Sequence, residues 1–351
     1  MKNEKITVIP TGVTSIDREN LENWENLEAI TIPDSVEIIG DGAFQDCKKL
    51  QDVVIPDGCH TIGKDAFNGC TALRTVSIPD SVTHIGDYAF CDCEMLKEIT
   101  IPDSVTHIGN YAFYGCQALE AITIPDSVTH IGDYAFRFCR RIRAITIPDG
   151  VSRIGDGTFR SLYSLETVSI PDSVTYIGNY AFYGCQALKE ITIPDSVTHI
   201  GNYAFHFCEM LMSITIPGSV SYMGEYTFCD CTALKDVVIL SNSFRGIKEG
   251  MFYGCTALEA VNISDRVNSI GKRAFQGCTA LRAVSIPDNV TYIGKRAFRG
   301  CTALEAITIP DGVAYVGKEA FYGCTGLRTA QIPDIVKHNK ESVFYGCTAL
   351  T

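Results

Sequence analysis

The chain has 351 residues, 46% of them hydrophobic and 20% charged, with a formal net charge of −12. This balance excludes an intrinsically disordered chain, and no apolar run approaches the ~18–20 residues of a membrane span. The N-terminal stretch MKNEKITVIPTG lacks the apolar core of ~7–15 residues that a secretory signal needs, so the reading is either an intracellular protein or a start inside a longer one.

Residues 1–26 read as a degenerate first rung, with Leu21 and Trp24 in slots that Phe and Cys fill later, and are predicted to cap the repeat array. From 27 to 351 one unit recurs fourteen times. Aligned on phenylalanine, the copies fall at Phe44, Phe67, Phe90, Phe113, Phe136, Phe159, Phe182, Phe205, Phe228, Phe252, Phe275, Phe298, Phe321 and Phe344; the step is 23 residues throughout, except for 24 between Phe228 and Phe252. A unit this short cannot fold alone, because ordering its backbone costs ~1–2 kcal/mol per residue and each buried large apolar side chain returns only ~1.5–3 kcal/mol. Stacking of successive units must supply the missing burial.

Within a unit, alternation in AITI (Ala121 to Ile124) predicts a short strand with Ile122 and Ile124 inward and Thr123 outward. All thirteen prolines share the next column, where a missing N–H ends the ladder and Pro-Asp-Ser turns the chain. Val-x-x-Ile-Gly then predicts a second short strand. Gly109 and its equivalents are expected to permit a sharp turn into Ala-Phe-x-x-Cys, where Phe and Cys share one face of a single helical turn.

The pattern Leu-x-x-Ile-x-Ile-Pro-x-x-Val-x-x-Ile-Gly-x-x-Ala-Phe-x-x-Cys resembles the repeat of the BspA-like leucine-rich repeat proteins, from about residue 6 to 350. The resemblance implies a leucine-rich repeat solenoid: a curved right-handed coil with a concave parallel β-sheet, short second strands, and helical turns on the convex side. It also implies a non-catalytic surface or secreted protein used in adhesion and host contact.

The cysteine column (Cys47, Cys70, Cys93, Cys116, Cys139, Cys185, Cys208, Cys231, Cys255, Cys278, Cys301, Cys324 and Cys347) takes Leu162 in one rung, as a core slot tolerates and a metal or redox slot does not. A disulfide ladder is the rival, but the thirteen are odd in number and in-register side chains point the same way. Cys59 stands in a valine slot and reads as core. Cys91 and Cys229, in the two FCDC sequences, read as exposed spare thiols, with a zinc site as the weaker alternative.

Aspartates come directly after the proline column and are expected to cap their own turns; the alternative is a file of weak Ca²⁺ sites at Asp103, Asp126 and Asp149. A column of alternating charge, Glu120, Arg143, Glu166 and Lys189, then Glu259, Arg282, Glu305 and Arg328, is expected to fix register.

Two columns are candidate binding surfaces. The outward strand positions Thr100, Thr123, Thr146, Ser169, Thr192 and Thr215 occupy the face that leucine-rich repeats turn to ligands. A ring column, His84, His107, His130, Tyr176, His199 and Tyr222, suits protein or glycan contact, with a histidine-held zinc ion as the alternative.

The rung at 234–257 breaks the pattern: it has an extra residue, Leu240 in the proline slot and Lys248 in the glycine slot, and predicts a local bulge. Beyond it, residues 270–328 carry eight Lys or Arg against four acids, a docking patch or a solvated face and not a nucleic-acid surface. The chain stops as the next strand would begin, with no C-terminal cap, which predicts continuation or cover by another chain.

Catalysis needs a unique constellation, and here nearly every polar residue is a copy of one a rung away. The expectation is a binding protein with a protein or glycan ligand, no cofactor, no nucleic acid and no membrane span. The alternative is an intracellular or injected interaction scaffold, which unpaired thiols would suit.

Overall fold

The computed structural model describes residues 6–18, 26–240 and 243–351, so the Leu21 and Trp24 slots lie outside the described residues. The chain divides into two compact units, 1–174 and 175–351. Each is a parallel-strand β-solenoid.

In the first unit the second strands form one six-stranded parallel sheet from Ser15–Ile16 to His130–Ile131, always pairing residues one rung apart, as His107 with His84 and His130. In the second unit the equivalent strands Tyr176–Ile177, His199–Ile200 and Tyr222–Met223 pair likewise, as do Gly246–Ile247 through Tyr315–Val316. Each two-residue strand turns one side chain inward: Ile85, Ile108 and Ile131 are buried and the preceding histidines exposed.

The first strands alternate as expected, but their ladder is interrupted. Glu98–Thr100 pairs with Thr75–Ser77, and Ala144–Thr146 with Thr167–Ser169, whereas residues 121–124 and 190–193 carry the same pattern without forming a strand. Ile122 and Ile124 remain buried and Thr123 exposed, so apolar burial positions this segment where ladder bonds do not.

The third side carries regular hydrogen bonding between rungs. The N–H groups of Tyr88, Phe90 and Asp92 donate to the carbonyls of Asn110, Ala112 and Tyr114 in the next rung, at 2.7–2.8 Å. The intervening N–H groups of Ala89, Cys91 and Cys93 bond back three residues, as in one helical turn. Left-handed residues produce this alternation: Tyr88 and Asp92 have φ of 57° and 53°. The second unit repeats it, with Tyr180, Phe182 and Gly184 donating to Asn202, Ala204 and His206. A bulky residue at positive φ costs roughly 1–2 kcal/mol, and the bonds to the next rung offset that cost.

The Ile-Gly glycines do not serve as the sharp turn expected of them. Gly109 and Gly132 have ordinary backbone angles, and a Cβ on Gly132 would lie 2.4 Å from the Asn110 nitrogen and 2.5 Å from the Gly109 carbonyl carbon. Close approach of successive backbones, and not φ, demands glycine there. The residue after it adds a bond that the repeat pattern did not announce. Side-chain oxygens of Asp87, Asn110 and Asp133 accept the N–H of Asn110, Asp133 and Asp156, each one rung on, at 2.6–2.8 Å.

The core is a file of stacked phenylalanines, such as Phe90, Phe113 and Phe136, fully buried with ring centroids 5.4–5.5 Å apart. In the irregular rung, Leu240 supplies the N–H that proline lacks and bonds the Ile216 carbonyl at 2.9 Å, extending the ladder; Phe244 fills the valine slot and is buried. The last rung replaces its turn and second strand with two single-turn helices, Asp334–Lys337 and Lys340–Val343. Among the described residues no helix is long and apolar enough to cross a membrane.

Phe136→Ala is expected to cost ~3–5 kcal/mol through the cavity it leaves, and Thr123→Ala little, in urea denaturation monitored by circular dichroism; equal losses would contradict the assigned faces. Gly132→Ala is expected to cost ~1–3 kcal/mol by overpacking in the same assay, and a neutral result would refute the close-approach reading.

Candidate binding surfaces

The cysteine column is core, and its sulfur has a polar task besides. Along the column the thiols donate to the carbonyl of the phenylalanine one rung back, as Cys93 to Phe67 at 3.3 Å, Cys116 to Phe90 at 3.2 Å, Cys139 to Phe113 at 3.1 Å, and in the second unit Cys208 to Phe182 at 3.3 Å. All sixteen cysteines are free. Burial pushes the Cys116 thiol well above the ordinary range, with the neighbouring Cys139 thiol adding to it.

Cys91 and Cys229 are not the exposed thiols expected from sequence: they are 6% and 3% exposed. Burial together with the adjacent Asp92 carboxylate pushes the Cys91 thiol up to about 12.

The aspartates after proline stand exposed at Asp103, Asp126 and Asp149. Backbone closes their turns, not the side-chain caps expected, with Val105 and Val128 N–H donating to the Pro102 and Pro125 carbonyls at 3.0 Å. Ser104 and Ser127 tie each turn to the previous rung through the Val82 and Val105 carbonyls.

The alternating charges pair only in part. Arg143 meets Glu166 at 3.6 Å, whereas Glu120 takes Arg141, outside the column, at 3.2 Å; these exposed pairs contribute ~0–1 kcal/mol each. In the basic segment, Lys272 pairs with Glu249 at 2.9 Å, while Arg296, Arg299 and Lys318 gather on Glu319 at 2.7–4.0 Å. Four of the eight cations there are thus ion-paired within the protein.

The two candidate surfaces lie on either side of the Pro-Asp turn. Thr100, Thr123, Thr146 and Ser169 of the first unit, and Thr192 and Thr215 of the second, are all exposed. They present small hydroxyls and methyls without a large anchor. The ring column is more distinctive. His84 and His107 stack at 4.7 Å, and His107 and His130 lie 5.7 Å apart. In the second unit Tyr176, His199 and Tyr222 stack at 4.4 and 4.3 Å. Thr83 and Thr106 hydroxyls hold the Nδ1 atoms of His84 and His107 at 2.8 Å, fixing the rings. A further row, Tyr88, Tyr111 and Tyr134, stacks at 4.7–4.9 Å from the left-handed turn positions.

With this geometry the comparisons agree. The family model described as a BspA type leucine rich repeat region of six copies matches residues 2–120, 61–176, 152–282 and 268–351. The chain belongs to the BspA-type leucine-rich repeat family. A leucine-rich repeat protein from Bacteroides ovatus is similar at 30% identity and TM-score 0.76, over 95% of this chain and 82% of its own. A leucine rich cell surface protein from Faecalibacterium prausnitzii is similar at 30% identity and TM-score 0.54, over 86% of each chain. The pneumococcal vaccine antigen PcpA, at 19% identity and TM-score 0.56, over 99% of this chain and 88% of its own, shares the fold. No curated protein sequence matches. As a BspA-type array, the chain has a fold suited to protein binding, in which repeated columns of side chains face the solvent.

Native thiols are expected to resist an aromatic disulfide reagent at pH 8, because the thiolate is the nucleophile and burial disfavours it. Half-exposed Cys347 should react first and the other column cysteines only after urea unfolding. Rapid labelling of most of them in the folded protein would contradict the buried file.

Proposed function

We propose that the chain is a non-catalytic adhesion solenoid, displayed on or released from a bacterial or protist cell, that engages a protein or glycan of its host. The exposed ring ladder carries this reading. Rigid, amphipathic rings give contact area at small entropic cost, and those at His84 and His107 are already ordered by stacking on each other and by threonine hydroxyls, with the His130 ring tilted against His107. The hydroxyl column across the turn supplies a polar flank. The Faecalibacterium relative, described as a cell surface protein, supports the location.

A second reading, an intracellular or injected scaffold, draws on the sixteen free cysteines, which suit a reducing compartment. Protease shaving of intact cells separates the two: digestion of the chain supports display, and protection until lysis supports the interior.

For recognition, immobilised extracellular-matrix proteins and a glycan array are probed with the purified chain, its His107→Ala/His130→Ala variant and its Thr123→Ala variant. Losing the rings should weaken binding about tenfold or more, as loss of an anchor of ~1.4 kcal/mol or above does. Unchanged binding after ring removal, or no bound component at all, would refute the proposal.

A further inference from the structure

Two rungs carry the same FCDC sequence, and the structure separates them by one neighbour. In the second unit, His206 sits one rung before Cys229, with which it is in register through the bond from Phe207 N–H to the Cys229 carbonyl at 3.0 Å. The ligand atoms of His206, Cys229 and Asp230 lie within 4.8 Å of one another, the one such group of three among the described residues. Asp230 Oδ2 stands 3.5 Å from His206 Nε2 and 3.4 Å from Cys229 Sγ. In a tetrahedral zinc site, with bonds of ~2.0–2.3 Å, the ligand-to-ligand edges are about 3.3–3.7 Å. The two edges that meet at Asp230 therefore have the required length before any ion is added.

The imidazole gives a second, independent indication. Both ring nitrogens of His206 are buried and make no hydrogen bond, Nε2 having only the ion-pair contact to Asp230 at 3.5 Å, an arrangement a histidine does not sustain without cost. The ring is held by Tyr183, Tyr203 and Phe207, with centroids at 5.0, 5.6 and 4.1 Å. The Asp230 side chain is 29% exposed and gives the site its opening to solvent.

We propose that His206, Cys229 and Asp230 bind one zinc ion, with water completing a tetrahedron on the Asp230 side. One sulfur, one imidazole nitrogen and one carboxylate form a donor set for a borderline-soft ion and not for calcium or magnesium. Binding displaces the thiol proton of Cys229, leaving the thiolate on the metal. The first unit provides a built-in control. There Cys91 and Asp92 repeat the pair, but Asn68 replaces the histidine and donates to Asp65 at 2.7 Å.

The test titrates the reduced, metal-free, untagged full chain with Co²⁺. Binding of one equivalent is expected, with the visible bands of tetrahedral cobalt and a thiolate charge-transfer band, both removed by Zn²⁺. His206→Asn, which recreates the Asn68 arrangement, and Cys229→Ser should abolish the bands, while Cys91→Ser leaves them unchanged. Competition with a chromophoric chelator should show zinc affinity falling at least ~10–100-fold in His206→Asn, the loss that even an outer-shell partner causes. Asp230→Asn carries the same expectation should His206→Asn fail to fold. Absence of tetrahedral bands, their persistence without His206, or their loss in Cys91→Ser would overturn the proposal.

Discussion

The structure depends on one backbone device, a left-handed residue two before and two after the phenylalanine of nearly every described rung. It turns every second N–H along the stacking direction, so that Tyr88, Phe90 and Asp92 each hold the next rung. Glycine at Ile-Gly is required because this bonding draws successive backbones together, and the phenylalanine rings stack because their Cα atoms are held in register. The first strands can lose their ladder at 121–124 without losing their place because the opposite side carries the spacing.

The same device explains the choice of cysteine. The phenylalanine carbonyl takes the N–H of the cysteine three residues on, as Phe90 takes Cys93, and has a second lone pair facing the next rung. A cysteine there fills a small apolar slot and offers a weak donor to that lone pair, as Cys116 does for Phe90. Alanine would be apolar but smaller and without the donor, and serine a stronger donor with a larger desolvation cost. Leu162 shows that apolar character is the stricter demand, since the slot accepts a larger side chain with no donor at all.

Much of this is legible in the sequence because repetition separates columns by chemistry. The burial of Ile122, Phe136 and Cys139 and the exposure of Thr123 and His130 follow from alternation and from what each column tolerates. The features that stay hidden depend on contacts one rung away. Nothing local tells a glycine needed for φ from one needed for clearance, so the pattern around Gly132 suggests a turn where the structure has a close approach. Nor does FCDC reveal burial, since a thiol beside aspartate looks solvent-facing in the sequence although Cys91 and Cys229 are both buried. The bonds from Asp87, Asn110 and Asp133 have a signal, an Asx residue recurring after Ile-Gly, but its partner is an N–H that every residue carries. His206 becomes meaningful only when Cys229 is seen beside it.

Repetition also sets the style of recognition available to such a surface. A ring repeated at each rung cannot form a single pocket, but it offers equal contacts at a fixed spacing, and a ligand that is itself extended can meet several of them at once. Linked weak contacts of this kind gain affinity through effective concentration without any one being strong. The small hydroxyl column can accompany that binding but has no anchor with which to begin it. Where rings give way to Ile38, Thr61, Arg153 or Ser269 in the same column, the row is interrupted. On the proposed reading, those interruptions bound the stretch of ligand that each run of rings would meet.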